Sequence, residues 1–143
     1  MCLIEIDNSD IESIKNGKGF KIFIEKDKKL YNNFYSLTGR TILYSREFSH
    51  PPLPKNELLI AIEDVVYSPD GKYISGFHIF ITQEDAEKYL SEISCALNFK
   101  IYEVEYYDAH TKGIDDFKTN VIVAPKMKIL KKINKNESTK SMG

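Results

Sequence analysis

Several features that mark particular classes of protein are scarce or missing in this sequence. There is no tryptophan, and two distant cysteines, Cys2 and Cys95, form neither a secreted disulfide framework nor a paired-cysteine zinc motif. Arg40 and Arg46 are the only arginines among 20 basic side chains, which counts against phosphate and base recognition, since these usually use guanidinium groups. The longest apolar run, residues 58–62, is far shorter than the roughly 20 residues of a membrane-spanning helix. We therefore expect a cytoplasmic protein that acts neither in a membrane nor on nucleic acid.

Length and charge indicate one domain with a basic end. The 143 residues carry a net charge of -1 and fit one domain of the usual size, about 100 to 200 residues. Residues 126–143 include six lysines and one glutamate, so this end could tether an acidic partner, but a solvated strand and a frayed tail are the interpretation that we favour. The prediction is an α+β domain over residues 1–133 and a disordered tail over 134–143. The first six residues carry Glu5 and do not resemble a signal peptide.

The first half of the chain contains weaker structural signals. Ser9 and Glu12 have the spacing of a capping box, which predicts a short helix to about Asn16. Alternation over residues 20–25 predicts a strand. Residues 50–54 contain three prolines and must break regular structure; a turn is favoured over a Pro-x-x-Pro ligand. Residues 58–66 are predicted as a short helix that runs into a strand.

The second half is clearer. Residues 67–73 contain Pro69, Asp70 and Gly71, which predict a hairpin or tight reversal. A buried strand over 77–81 should lead to an amphipathic helix capped by Thr82, followed by strands over 99–107 and 121–124, and extended chain over 127–133. The stretch 108–119 is predicted as a polar loop. The fold class is then α+β: a mainly antiparallel sheet with a short N-terminal helix and one central amphipathic helix packed on the sheet.

Residues 76–80, Gly-Phe-His-Ile-Phe, followed by Ala86 and Tyr89, resemble part of a known family. The pattern is similar to the second half of ADP-ribosyltransferase folds of the poly(ADP-ribose) polymerase and RNA 2′-phosphotransferase group, where a Gly-apolar-Tyr/His-apolar strand leads to a helix with Ala and Tyr. The resemblance covers about residues 76–133. Small uncharacterised bacterial and phage proteins with a Gly-Phe-His strand are also similar, and their counterparts here would include residues 18–20 and 104–105.

The resemblance implies a ligand site and casts doubt on catalysis. It implies that His78, Tyr89 and Asn120 line a small-molecule pocket. In the transferases an acceptor-activating Glu stands where this chain has Asn120, and an amide can neither act as a general base nor stabilise a cationic transition state. The family's first-strand His or Arg also has no convincing counterpart, and Lys21 is a poor substitute for it. The catalytic residues are therefore unknown.

Other residues suggest chemistry only weakly. His50, His78 and His110 have no metal-ligand spacing, so no metal is expected. Carboxylate pairs at 103 and 105 or at 115 and 116 are better explained as sheet and loop surface than as a glycosidase pair. Cys2 would be a nucleophile only as an N-terminal residue, and Cys95 is expected to be a buried small apolar side chain.

We therefore expect a non-enzymatic domain without a cofactor that engages a protein or a nucleotide-like ligand. One form of this hypothesis is an inhibitor encoded by a phage or another mobile element that occupies the surface of another protein; the nine tyrosines are compatible with that role. The alternative is an active NAD-dependent ADP-ribosyltransferase-like enzyme with a rearranged site that uses His78 and a carboxylate such as Glu103 or Glu105.

Overall fold

Eleven strands, one α-helix and one 3-10 helix form the described part of the chain. The computed structural model describes residues 3–32, 53–61, 65–92 and 98–133. In chain order the elements are β1 Leu3–Ile6, the 3-10 helix Ile11–Ile14, β2 Gly17–Lys26, β3 Lys29–Asn32, β4 Leu58–Ile60, β5 Val65–Ser68, β6 Gly71–Ile74, β7 Phe77–Phe80, α1 Gln83–Glu92, β8 Phe99–Tyr107, β9 Thr111–Asp115, β10 Asn120–Ala124 and β11 Lys126–Lys132. The predicted α+β class with a mainly antiparallel sheet is confirmed.

A large antiparallel sheet organises these elements. Its strand order is β1-β9-β10-β7-β2-β8-β11-β4, β3 pairs with the second half of β2, and β5 and β6 form a separate hairpin. The order places three strands between β10 and β11, although Pro125 alone joins these two strands in the chain. In a flat sheet, β10 and β11 would be four strand spacings apart, which is about 19 Å. The two Cα steps through Pro125 that join them span at most about 7.6 Å. The sheet is therefore rolled, so that β10 returns to β11.

Each side of the rolled sheet has its own apolar core. The inner core draws on all five strands from β10 round to β11, and the 3-10 helix packs against it through Ile11 and Ile14. The outer core lies where α1 and the β5–β6 hairpin cover the sheet. The inner core consists of Phe23, Leu30, Phe77, Ile79, Tyr102, Val104, Tyr106, Ala109, Ile122, Ala124, Met127 and Ile129, and the outer core of Leu3, Ile22, Tyr73, Phe80, Ala86, Tyr89, Ile101, Val121 and Val123.

Helix α1 begins as the sequence predicts. Thr82 Oγ1 accepts a hydrogen bond from the backbone N–H of Asp85 (3.1 Å) and donates one to its carboxylate (3.0 Å), so the threonine caps the start of the helix. Ala86 and Tyr89 are buried against the sheet. The strand over residues 99–107 is also confirmed, with Tyr102, Val104 and Tyr106 buried on one face.

Three local predictions are wrong. Residues 58–60 form a strand and not a helix, because side chains there alternate: Leu59 packs on the inner core and Leu58 and Ile60 point outward. The predicted loop 108–119 contains β9, where Gly113 permits close pairing with β1, since a Cβ there would overlap the Glu5 carbonyl. The N-terminal helix is a four-residue 3-10 turn without a side-chain cap, so Ser9 does not cap it. Cys2, Cys95, His50 and the predicted tail 134–143 lie outside the described residues.

No helix in the described ranges has the length and apolar character needed to cross a membrane.

Candidate functional site

His78 lies in the interior of the protein and takes part in a polar network. Its side chain is 1% exposed, its Nδ1 is 3.2 Å from the Gly76 carbonyl, and its Nε2 is 3.0 Å from the Tyr73 hydroxyl. A carbonyl only accepts, so Nδ1 donates to it, and in the neutral tautomer with this proton Nε2 accepts the Tyr73 O–H. The Tyr73 oxygen in turn accepts the backbone N–H of Leu3 at 3.2 Å. This network joins β7, the hairpin and β1.

Tyr89 and Asn120 occupy other positions. Tyr89 is 3% exposed and its ring packs on Phe80 and Phe117, with centroids 5.2 and 5.0 Å away. Asn120 is exposed, and its Nδ2 donates to the Asp85 carboxylate at 3.4 Å near the start of α1. The three residues predicted to bind a ligand therefore lie on neighbouring elements without sharing one open cavity. Their ligand role remains a prediction.

The carboxylates considered for an active site lie apart from His78. Phe20 on β2 lies opposite Phe80 of β7 on one side and opposite Glu103 of β8 on the other. β2 therefore separates Glu103 from β7. His78 and Glu103 are two strand spacings apart across the sheet and two residues apart along the strands. Their Cα atoms are therefore about 12 Å apart. Glu105 is farther along the strand and accepts a hydrogen bond from Tyr107 at 2.6 Å.

The 115–116 pair is divided between core and surface. Asp115 is fully buried and its Oδ1 accepts the backbone N–H groups of Phe117 (3.1 Å) and Thr119 (2.9 Å), whereas Asp116 is exposed. Burial raises the pKa of the Asp115 carboxyl. This geometry closes the turn between β9 and β10 and does not pair two carboxylates for catalysis.

Lys21 is a buried charged group that the sequence analysis did not predict as buried. Its side chain is 1% exposed on the inner side of the sheet, and its Nζ donates to the His78 carbonyl at 2.9 Å. β7 pairs with β2 at one position only, Phe20 with Phe80, and β3 then takes the place of β7 beside β2. Lys21 thus caps a carbonyl where the sheet splits. Burial lowers the pKa of this amine to about 7. Apolar neighbours on both sides, Phe20 and Ile22, are the one sequence signal for a buried strand position.

Open depressions indent the surface formed by the described residues, and two of them lie next to features already named. One, of about 410 Å³, lies where β1, β9 and the hairpin turn meet, and carries Glu5, Asp7 and Asp70. The other, of about 420 Å³, is lined by Asn16, Leu58, Tyr107, Asp108, Lys126 and Lys128. Neither is lined by His78, Tyr89 or Asn120. In the four described ranges no three His, Cys, Asp or Glu side chains are grouped as metal ligands would be.

Large exposed apolar side chains are concentrated between residues 58 and 74. On β4, Leu58 is 51% and Ile60 is 69% exposed. On the hairpin, Val65 and Ile74 are Cα partners with exposures of 43% and 42%, and Tyr67 is 78% exposed. Exposed apolar groups mark interaction surfaces when they are neighbours in space, as Val65 and Ile74 are on the hairpin.

The two edges of the sheet differ. At β1, which ends the sheet, Tyr73 accepts the N–H of Leu3, and the Asp70 carboxylate accepts the N–H of Ile6 at 2.8 Å. At β4, the other end, Ala61 donates to the carbonyl of Pro125, the residue before β11, at 2.8 Å.

Neighbouring residues of an antiparallel strand alternate in direction. The N–H and C=O groups of Leu58 and Ile60 therefore point away from β11, and in the described chain nothing outside the β4–β11 ladder bonds to them.

No protein-family model, curated protein or solved structure matches this chain.

Proposed function

We propose that this chain is a non-enzymatic binding domain whose ligand is another protein. The observation that carries the proposal is the group of exposed apolar side chains on β4 and the hairpin, especially Ile60 and Tyr67. Protein interfaces have an apolar centre enriched in aromatic side chains and surrounded by polar groups. The open depressions on the same molecule suit a surface contact better than an enclosed small ligand, which normally lies in a concave and largely apolar pocket.

The burial of the predicted ligand residues supports a protein partner over a nucleotide-like one. His78 and Tyr89 are within the core, so a dinucleotide could reach them only if α1 or the hairpin moved. A protein partner needs no such movement, because its contact groups are already on the surface. An inhibitor from a phage or another mobile element, acting in the cytoplasm, is the specific form of this function that we favour.

The test combines partner capture with an assay for NAD turnover. The immobilised chain and its Ile60→Ser, Tyr67→Ser and Lys88→Ser variants are incubated with lysate of the source organism; Lys88 is exposed on α1 and is not one of the exposed apolar side chains. We expect the wild type and Lys88→Ser to retain the same protein, and at least one apolar variant to retain roughly tenfold less, as for loss of a binding hot spot. Equal retention by all four chains, or none by any, would contradict the proposal.

NAD provides the second readout. We expect the wild type neither to release nicotinamide from NAD nor to melt at a higher temperature in its presence. Nicotinamide release that His78→Ala abolishes would replace the binding proposal with the transferase alternative.

A further inference from the structure

In the described part of the chain, β4 is firmly attached to β11 on one side, and its backbone groups on the other side are unpaired. Leu59 packs on the inner core, and the backbone of β4 pairs with residues 126–128 of β11. Asn56 and Ala61 extend this attachment on either side, donating to the Ile129 and Pro125 carbonyls at 2.8 Å. The strand is thus held in an extended conformation while its other edge faces away from the sheet. An exposed edge of this kind is a template for another strand.

Within the described ranges, side chains protect the β1 edge, whereas none protects the outer edge of β4. On β1, the N–H groups of Leu3 and Ile6 donate hydrogen bonds to the side chains of Tyr73 and Asp70, respectively. Proteins usually protect an edge with charges, proline or covering segments, because a bare edge promotes aggregation. β4 instead carries two exposed apolar side chains, so its openness suits recognition.

Charge around β4 indicates what the added strand should carry. Lys126 and Lys128 are the β11 partners of Ile60 and Leu58 and line the adjacent depression. Lys126 pairs with Asp108 at 3.3 Å, whereas the described residues provide no ion pair for Lys128. An acidic side chain next to Leu58 would complement this lysine.

We propose that the β4 edge binds an extended segment of a protein partner as an added antiparallel strand, with apolar side chains opposite Leu58 and Ile60 and an acidic side chain directed to Lys128. This rests on the proposed function and names the surface and the chemistry of the partner. Main-chain hydrogen bonds to Leu58 and Ile60 supply affinity, and the alternating side chains supply specificity, as in other β-strand additions.

A second copy of the chain is a poorer occupant. Pairing of two β4 strands about Leu59 would place Leu58 opposite Ile60 of the other copy, which is sterically reasonable. However, β4 has three residues, and a stable dimer needs about 800 Å² from each partner. A foreign strand can gain further contact in the 420 Å³ depression beside Leu58.

The test selects ligands from a displayed library of random peptides of about 12 residues, long enough to add one strand. The full chain is the target, and selected peptides are then titrated against variants. We expect enriched peptides to place two apolar residues two positions apart and an Asp or Glu two positions further on, so that all three side chains lie on the face of Leu58, Ile60 and Lys128. Ile60→Pro should weaken them by at least about tenfold, because it removes an outward N–H without disturbing the ladder to β11.

Lys128→Glu tests the charge without disturbing the backbone. It should weaken the same peptides by about fivefold or more, whereas Lys88→Glu, the same charge change on α1, should alter binding less than about twofold. Tyr67→Ser should also leave binding unchanged if the hairpin is not the site. Far-UV circular dichroism of each variant checks that the fold is retained.

Several results would overturn the edge proposal while leaving the proposed function intact. These are enriched peptides that are basic or lack the expected spacing of apolar and acidic residues, peptides that bind Ile60→Pro as tightly as wild type, and peptides lost only in Tyr67→Ser. A dimer in light scattering that Ile60→Pro abolishes would assign the edge to a second copy. Failure of the library to yield any β4-dependent peptide, while the natural partner is still captured, would refute the edge site alone.

Discussion

Hydrogen bonding between the strands of the sheet ends at β1 and at β4, and it divides where β7 separates from β2. These three places differ in whether side chains bond to the backbone groups there. At β1, Asp70 and Tyr73 accept hydrogen bonds from backbone N–H groups. At the split, the side-chain nitrogen of Lys21 donates a hydrogen bond to the His78 carbonyl. At β4 no comparable side chain does so among the described residues. Pairing the buried backbone groups of Leu3 and His78 serves stability, since an unpaired buried group costs about 1 to 3 kcal/mol. The outward groups of β4 belong to exposed residues and can bond to water without this cost, and binding is the function that we propose for the open edge.

The largest expected effect concerns Lys21. Its pKa is about 7 in the fold and about 10.4 in the unfolded chain, so between these values the unfolded chain binds the extra proton. The free energy of unfolding should therefore rise by about 3 kcal/mol from pH 7 to about pH 9.5. Urea unfolding at several pH values measures it.

Lys21→Met is the matched variant for this pH dependence, because it keeps an unbranched side chain only one atom shorter and removes the charge. Its unfolding free energy should change little over the same range. Tyr102, the Cα partner of Lys21, does not interfere, since burial raises its pKa to about 12. Parallel pH curves for wild type and variant would show that Lys21 is not a buried amine.

The next effect tests the closed edge at β1. Tyr73→Phe leaves the Leu3 N–H and the His78 Nε2 without the hydroxyl that joins them, and should cost about 2 kcal/mol. Tyr67→Phe is the control, because Tyr67 is 78% exposed on the same hairpin, and should change stability by less than about 0.5 kcal/mol. Thermal and urea unfolding of both variants supply the comparison. Equal effects would mean that Tyr73 does not close the edge.

A smaller effect is expected at Asp70. Asp70→Ala removes the acceptor for the Ile6 N–H and should cost about 1 kcal/mol, while Asp70→Asn keeps an oxygen acceptor and should cost less than half as much. Urea unfolding measures both. If the two substitutions were equally costly, the charge of Asp70 and not its hydrogen bond would be what matters.

The smallest effect is expected on the open edge. Ile60→Thr should change the free energy of unfolding by less than about 0.5 kcal/mol, because Ile60 is largely solvated and threonine also favours a strand. Leu59→Thr, one residue earlier, should cost considerably more, since it places a hydroxyl against the inner core. Comparable losses would place both side chains in the interior.

The sequence indicated the elements whose signals are local. Thr82 and the apolar spacing of Ala86 and Tyr89 mark α1, and the alternation around Val104 marks β8. β9 was missed because its pairing depends on a distant strand and on Gly113, and because Ile114 is its only large apolar residue. A burial pattern that only the long-range pairing determines cannot be read from a window of ten residues.

The candidate site was predictable only in part. His78 could be placed inside a strand, but its partner Tyr73 comes from the hairpin through tertiary packing. Lys21 was missed because a charged side chain normally marks the surface, and its burial arises where β7 separates from β2. The open edge at Leu58 could not be predicted, since the end of a sheet is defined by strands remote in sequence.

Amide hydrogen exchange in the free protein, followed residue by residue by NMR, tests the central claim most directly, because it compares the two edges in one molecule. The account predicts that the amides of Leu58 and Ile60 exchange quickly, while those of Leu59, Ala61 and Ile6 are protected. Protection of Leu58 and Ile60 as strong as that of Leu59 would contradict it, since β4 would then already have a partner on its outer side.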